Sequence, residues 1–227
     1  MRAWTFIPAV MALTLSLTPG SALAQSSGNF SASGTAVACA IGAGGSFEGS
    51  PGVCDVTIGS TTQCGVLDVN ISTSSGSGNT LLIRPSLVTG LFTDTKISTS
   101  VTSAAADVGI QVCVTVDNSG VGVKPASCII YDQRFQQISS NLFANITGCA
   151  TADPECNFDL ILSTLGARSF DFVVPVANGK PHHVQVTWST FGTVSNSSAS
   201  HIAACVGPGI VTVEQVKVFN NSGSLNF

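Results

Sequence analysis

The stretch Cys113-Val-Thr-Val-Asp-Asn-Ser-Gly-Val-Gly-Val-Lys-Pro-Ala-Ser-Cys128 decides the reading of the chain. A cysteine stands at each end, apolar residues alternate with polar ones in the first arm, and the middle is built from Asp, Asn, Ser, Gly and Pro. Alternation with a period of two is the mark of a half-buried strand, and the middle residues are those that reverse the backbone. If the arms fold back about a turn near Gly120–Val121, Cys113 and Cys128 become cross-strand neighbours. Opposed Cβ atoms in an antiparallel pair lie roughly 4.5–5.5 Å apart, close to what a disulfide needs. The spacing predicts a bridged antiparallel unit.

The same alternation runs outward along the chain. Val112, Val114 and Val116 have counterparts in Phe170, Phe172 and Val174, in Val184, Val186 and Trp188, and in Val211, Val213, Val216 and Val218, with a register break expected at Gln215. Further strands are expected around 53–58, 66–71, 81–87, 96–102, 127–132 and 158–162. Asn178-Gly179 and Gly207-Pro208-Gly209 supply turns. One segment departs from the period: Phe135, Ile138, Leu142 and Ile146 fall at helical spacing, and a short helix is expected over 133–146. About ten short strands without recurring helices define an all-β, antiparallel two-sheet sandwich.

Eight cysteines stand at 39, 54, 64, 113, 128, 149, 156 and 205. Their even number suits an oxidising compartment and four disulfides. Cys54 and Cys64 flank a turn-rich stretch, Cys149 and Cys156 close a tight loop, and elimination pairs Cys39 with Cys205. No CxxC pair exists and His182, His183 and His201 sit at no metal-ligand spacing to the cysteines, which argues against zinc.

The start of the chain has the pattern of a secretory signal. Arg2 is followed by an apolar run to about Leu17, a Pro19-Gly20 break and Ala22-Leu23-Ala24. Cleavage is expected after Ala24, leaving residues 25–34 as a flexible N-terminus and 35–227 as one β-sandwich domain. The signal looks bacterial, and no later run is long enough to cross a membrane as a helix. The expected location is secreted, periplasmic or on the cell surface. Charged residues make up only 9% of the chain, and once Arg2 is removed seven basic residues face twelve acidic ones. That balance argues against nucleic acid as a partner.

No set of residues announces catalysis. His182 and His183 are adjacent on a strand and must point to opposite faces, and no GxSxG elbow occurs. Asp153, Glu155 and Asp159 bring three carboxylates to the neighbourhood of the Cys149–Cys156 loop. They are the candidate cation ligands and would suit Ca²⁺, although the spacing is not that of a DxDxDG loop and a plain solvated acidic loop is the competing reading. The mature chain carries one Trp (Trp188) and one Tyr (Tyr131), too few for an aromatic sugar platform. Asn-x-Ser/Thr sites at 29, 70, 145, 196 and 220 matter only in a host that glycosylates.

The segments Ser169–Trp188, "SFDFVVPVANGKPHHVQVTW", and Gly207–Phe219, "GPGIVTVEQVKVF", resemble the closing strands of jelly-roll modules found in small secreted bacterial proteins of no assigned function. The resemblance covers about 50 residues. It implies a jelly-roll arrangement and carries over no functional residue. The function expected is a disulfide-stabilised, non-catalytic binding or cell-surface module with a protein or glycan partner. The alternatives are a self-assembling subunit of an extracellular fibre or coat, and a secreted hydrolase.

Overall fold

A computed structural model describes residues 29–43, 46–49, 56–58, 61–63, 66–98, 101, 103–139, 141, 156–195 and 200–217. The expected signal segment 1–24, the cysteines Cys54, Cys64 and Cys149, and the carboxylates Asp153 and Glu155 lie outside them.

Thirteen strands occur among the described residues: β1 (Phe30–Thr35), β2 (Ala38–Ala43), β3 (Ser46–Gly49), β4 (Val56–Ile58), β5 (Thr61–Gln63), β6 (Val66–Ser72), β7 (Asn79–Ser98), β8 (Ser103–Val116), β9 (Cys128–Ser139), β10 (Asn157–Ser169), β11 (Phe172–Pro175), β12 (Pro181–Val194) and β13 (Ser200–Lys217). Two antiparallel sheets stack as a sandwich. The first is ordered β10-β7-β13-β2-β3, with β1 added to β13 and β11 added to β7; the second is ordered β6-β12-β8-β9. β4 and β5 form a separate pair.

The alternating runs place one side chain in two between the sheets. Leu81, Ile83, Leu87 and Leu91 of β7 and Ile202, Ala204, Val206, Val211 and Val213 of β13 meet Val108, Ile110, Val112 and Val114 of β8 and Val184, Val186 and Trp188 of β12. Each fully buried aliphatic side chain contributes about 1.5–3 kcal/mol. Trp188 is a core residue.

β7 and β13 are long because each serves two neighbours in turn. β13 pairs with β2 up to Val206 and with β1 from Gly209 onward, and the register on β7 shifts between these two residues. Gly207 takes φ +101° in that irregularity, and a Cβ there would collide with the Ala36 carbonyl in the β1–β2 link. The break expected at Gln215 therefore falls at 206–209 instead. Gln215 keeps the inward register because its amide is fully bonded. Its nitrogen donates to Ser74 Oγ (2.8 Å) and Asn79 Oδ1 (2.7 Å), while its oxygen accepts from Asn29 Nδ2 and the Ser74 backbone N–H, each at 3.0 Å.

Residues 30–34, expected in a loose N-terminal segment, form most of β1, held from Phe30↔Glu214 to Thr35↔Gly209. The backbone edge of β13 offers these residues hydrogen bonds that an apolar count does not register.

The segment expected to be helical is strand to Ser139; residues 142–146 lie outside the described residues. The strand carries a bulge at its start. Ile110 pairs with Asp132 and Gln111 with Ile130, so Tyr131 is an extra residue on β9. Beyond the bulge the inward positions are Asp132, Arg134 and Gln136, while Phe135 stays 65% exposed. With Asp132, Arg134 and Gln136 inside and Gln133 and Gln137 flanking Phe135 outside, the segment has no apolar period of two.

The opening stretch folds more tightly than two paired arms. Asp117 and Asn118 both have positive φ, closing a turn in which Val116 and Ser119 exchange backbone hydrogen bonds. The chain then wanders, burying Val123 and leaving Val121 88% exposed, and rejoins β8 where the Val114 N–H donates to the Ser127 carbonyl. Cys128 arrives opposite Cys113 and is bonded to it, with Cα atoms 4.1 Å apart. Cys39 is bonded to Cys205 across β2 and β13, with Cα atoms 4.0 Å apart. Neither bridge spans the core; each clamps neighbouring strands on the outer face of a sheet. Cys156 is also disulfide-bonded.

Candidate functional site

Two places collect polar side chains. The first is the side of the sandwich where β9 and β10, the edge strands of the two sheets, run side by side. Here side-chain hydrogen bonds add to the small apolar cluster of Ile97, Ala104, Ile138 and Phe158 in holding the sheets together. The Asp132 carboxylate, buried, takes Arg168 Nη2 at 2.7 Å on one oxygen and the Thr89 hydroxyl at 2.7 Å on the other. Thr93 Oγ1 donates to Gln136 Oε1 (2.5 Å), and Gln136 Nε2 donates to the Leu160 carbonyl (2.9 Å) and to Thr95 Oγ1. Arg134 donates to the Leu91 carbonyl at 3.3 Å. Each of these groups would cost about 1–3 kcal/mol if left buried and unpaired, so the set holds as a unit.

A cleft of about 400 Å³ opens beside this seam, lined by Ile129, Ile130, Tyr131, Arg168, Ser169 and Phe170. That volume is within the range of ligand pockets. The Tyr131 hydroxyl lies 2.6 Å from the Arg168 carbonyl and 3.0 Å from the Pro85 carbonyl, and burial pushes its pKa up to about 12. It is a neutral hydrogen-bond donor there and not a base. Large apolar side chains face solvent on both edge strands: Ile130, which lines the cleft, at 59% and Phe135 at 65% on β9, and Ile161 at 59% and Leu165 at 80% on β10.

The second place is the end of the sandwich formed by the turn after β8 and the start of β12. His182 is 3% exposed. Its Nδ1 lies 2.8 Å from Asp117 Oδ2 and its Nε2 lies 3.0 Å from the Ala177 carbonyl. Asp117 Oδ1 accepts the His183 backbone N–H at 3.0 Å, and His183 Nε2 reaches Asp68 at 3.2 Å. Partial burial of Asp117 pushes its carboxyl up, but the hydrogen bonds from His182 and the His183 backbone, with the charge of both rings, outweigh it and hold the pKa below the ordinary value. A histidine–carboxylate pair invites comparison with a catalytic dyad. The remaining nitrogen of a dyad must face a nucleophile, whereas Nε2 of His182 is turned to a backbone carbonyl. The pair ties β12 to the turn and presents no free base.

The other residues singled out from the sequence lie apart. His183 points away from His182, as adjacency on a strand requires. His201, exposed, sits opposite Asp94 on β7. Asp159, the one candidate cation ligand among the described residues, is exposed on β10 and 3.5 Å from Lys96 Nζ. Among the described residues no three His, Cys, Asp or Glu side chains gather as a cation site would require. The β9/β10 seam escaped sequence reading because Asp132, Arg134 and Gln136 alternate with Gln133, Phe135 and Gln137 in a segment whose two faces both look polar. The one available signal was that Thr89, Thr93 and Thr95 share the parity of Leu81, Ile83, Leu87, Leu91 and Ile97 along β7.

No protein-family model matches the chain, and no curated protein matches it significantly. The geometry defines a class: a disulfide-stabilised, two-sheet antiparallel β-sandwich. No helix among the described residues is long and apolar enough to cross a membrane.

Proposed function

We propose that this is an exported, non-catalytic binding module that engages a protein partner along its β9/β10 side. The observation that carries the reading is the exposure on β9 of Ile130, in the wall of an open cleft, and of Phe135 further along the strand, on a chain with few charges. A protein partner fits better than a glycan. Sugar platforms use Trp and Tyr, whose rings are apolar and whose edges are polar. Trp188 and Tyr131 are both buried, and the exposed ring on this side is Phe135, which has no polar edge. The two disulfides and the predominance of extended structure agree with life in an oxidising compartment.

The test is a binding screen of the purified, oxidised protein against cell-surface proteins and glycans, with Ile130→Ser and Phe135→Ser variants as controls. Both side chains face solvent, so neither change disturbs the core. Binding to a protein, weakened at least tenfold by either substitution, supports the reading. Ligand binding indifferent to both, or no ligand for the wild type, counts against it.

A further inference from the structure

We propose that β10 is a dimerisation edge: it pairs antiparallel with β10 of a second copy of this chain, about a two-fold axis at Ser163. This rests on the reading of the β9/β10 side as the interacting side and names one occupant for its β10 half.

β10 pairs with β7 on one flank, and no described strand pairs with the other. Thirteen residues therefore present a row of outward backbone groups, a template for another strand. Natural edges of this length are protected by Lys, Pro or inward-pointing charge. Asn157-Phe-Asp-Leu-Ile-Leu-Ser-Thr-Leu-Gly-Ala-Arg-Ser169 contains no Lys and no Pro. Its two charges are each answered within their own chain, Asp159 by Lys96 and Arg168 by Asp132. Two such edges can approach without net like-charge repulsion.

The residue order then selects a second copy. Phe158 faces the interior, packed with Ile97, Ala104 and Ile138, while Leu165 lies on the outer face, at the same 3.6 Å as Cys205 Cβ from a Cβ built on Gly90. Opposed residues in a sheet share a face, so when a strand pairs antiparallel with itself odd-numbered residues must meet odd-numbered ones. Centring on Ser163 obeys that rule. It sets Ile161 against the second copy's Leu165 twice, covering two of the most exposed apolar side chains of the molecule. Asp159 meets Ala167, and Arg168 meets the Phe158 ring. No like charges are opposed anywhere along the pair. The arrangement is closed, yielding a dimer and not a filament. One strand pair buries less than a standard interface, so the dimer is concentration-dependent.

The test uses the purified, disulfide-bonded protein. Light scattering across a concentration series is expected to show the mass doubling, and Leu165→Lys to abolish the doubling while leaving the circular-dichroism spectrum unchanged. Under mild oxidation Ser163→Cys is expected to give a covalent dimer, because the residue on the axis faces its own copy, whereas Ala167→Cys is not. A monomer at every attainable concentration, a dimer indifferent to Leu165→Lys, filaments, or equal cross-linking of both cysteine variants each overturn the proposal. The binding reading is probed through Ile130 and Phe135 on β9, so the two fail independently.

Discussion

His182 Nδ1 and Asp117 Oδ2 lie 2.8 Å apart although 65 residues separate them in the chain. The contact locks the start of β12 onto the turn that ends β8. Both nitrogens of the ring face acceptors, Asp117 and the Ala177 carbonyl. Asp117 is held below its ordinary pKa by this contact and by the His183 backbone. Its stabilising contribution is therefore complete above the unfolded value of about 3.9 and is lost as pH falls through the lower folded value.

Asp117→Asn is expected to lower stability at neutral pH and to flatten the acid limb of the stability profile below about pH 4. Urea titrations of wild type and variant between pH 2.5 and 7 would check this. Parallel profiles would show that the pair contributes nothing that titrates.

Gln136→Leu is expected to destabilise the fold by about 2–3 kcal/mol, since the Thr93 and Thr95 hydroxyls and the Leu160 carbonyl lose their partner in a buried place. Gln137→Leu, on the exposed face of the same strand, is expected to fall within about 0.5 kcal/mol of wild type. Equal effects would mean that the polar seam does not hold the two sheets together.

The two disulfides differ in loop length, 166 residues for Cys39–Cys205 and 15 for Cys113–Cys128. On the chain-entropy account their removal costs at most about 5 and about 3 kcal/mol. Paired Cys→Ala variants followed by denaturant melts would test that order, and a larger loss from the short loop would contradict it.

Gly207→Ala is expected to cost more than the roughly 1 kcal/mol of an ordinary glycine replacement. The position has φ +101° and its Cβ would strike the Ala36 carbonyl. Gly166→Ala, with nothing near the added methyl, is the control.

Much of the architecture could be read from the alternation of Val112, Val114, Val184, Val186, Val211 and Val213, because where one face is buried and the other wet the period of two is written directly into residue polarity. β9 broke the reading. Past the bulge at Tyr131 its inward residues are Asp132, Arg134 and Gln136, and only the threonines of β7, more than 35 residues earlier, make those positions tolerable. No local window contains both halves of that arrangement. Gln215 misled in the same way: a polar residue at an inward position looks like a slipped register unless Ser74, Asn79 and Asn29 are known to surround it. The exposed apolar residues of β9 and β10 belong to two edge strands distant in sequence, so neither strand alone announces them.

The bridge between Cys39 and Cys205 has a mechanical consequence. Outside it, β1 and the last part of β13 lie antiparallel, with Phe30 beside Glu214 at the open end and Thr35 beside Gly209 near the bridge. Tension applied at Phe30 and Lys217 would peel β13 from β1 and from β7 rung by rung and then stop at a covalent bond. From that point the load would pass from sulfur to sulfur, and the 165 residues between the two cysteines would carry none of it.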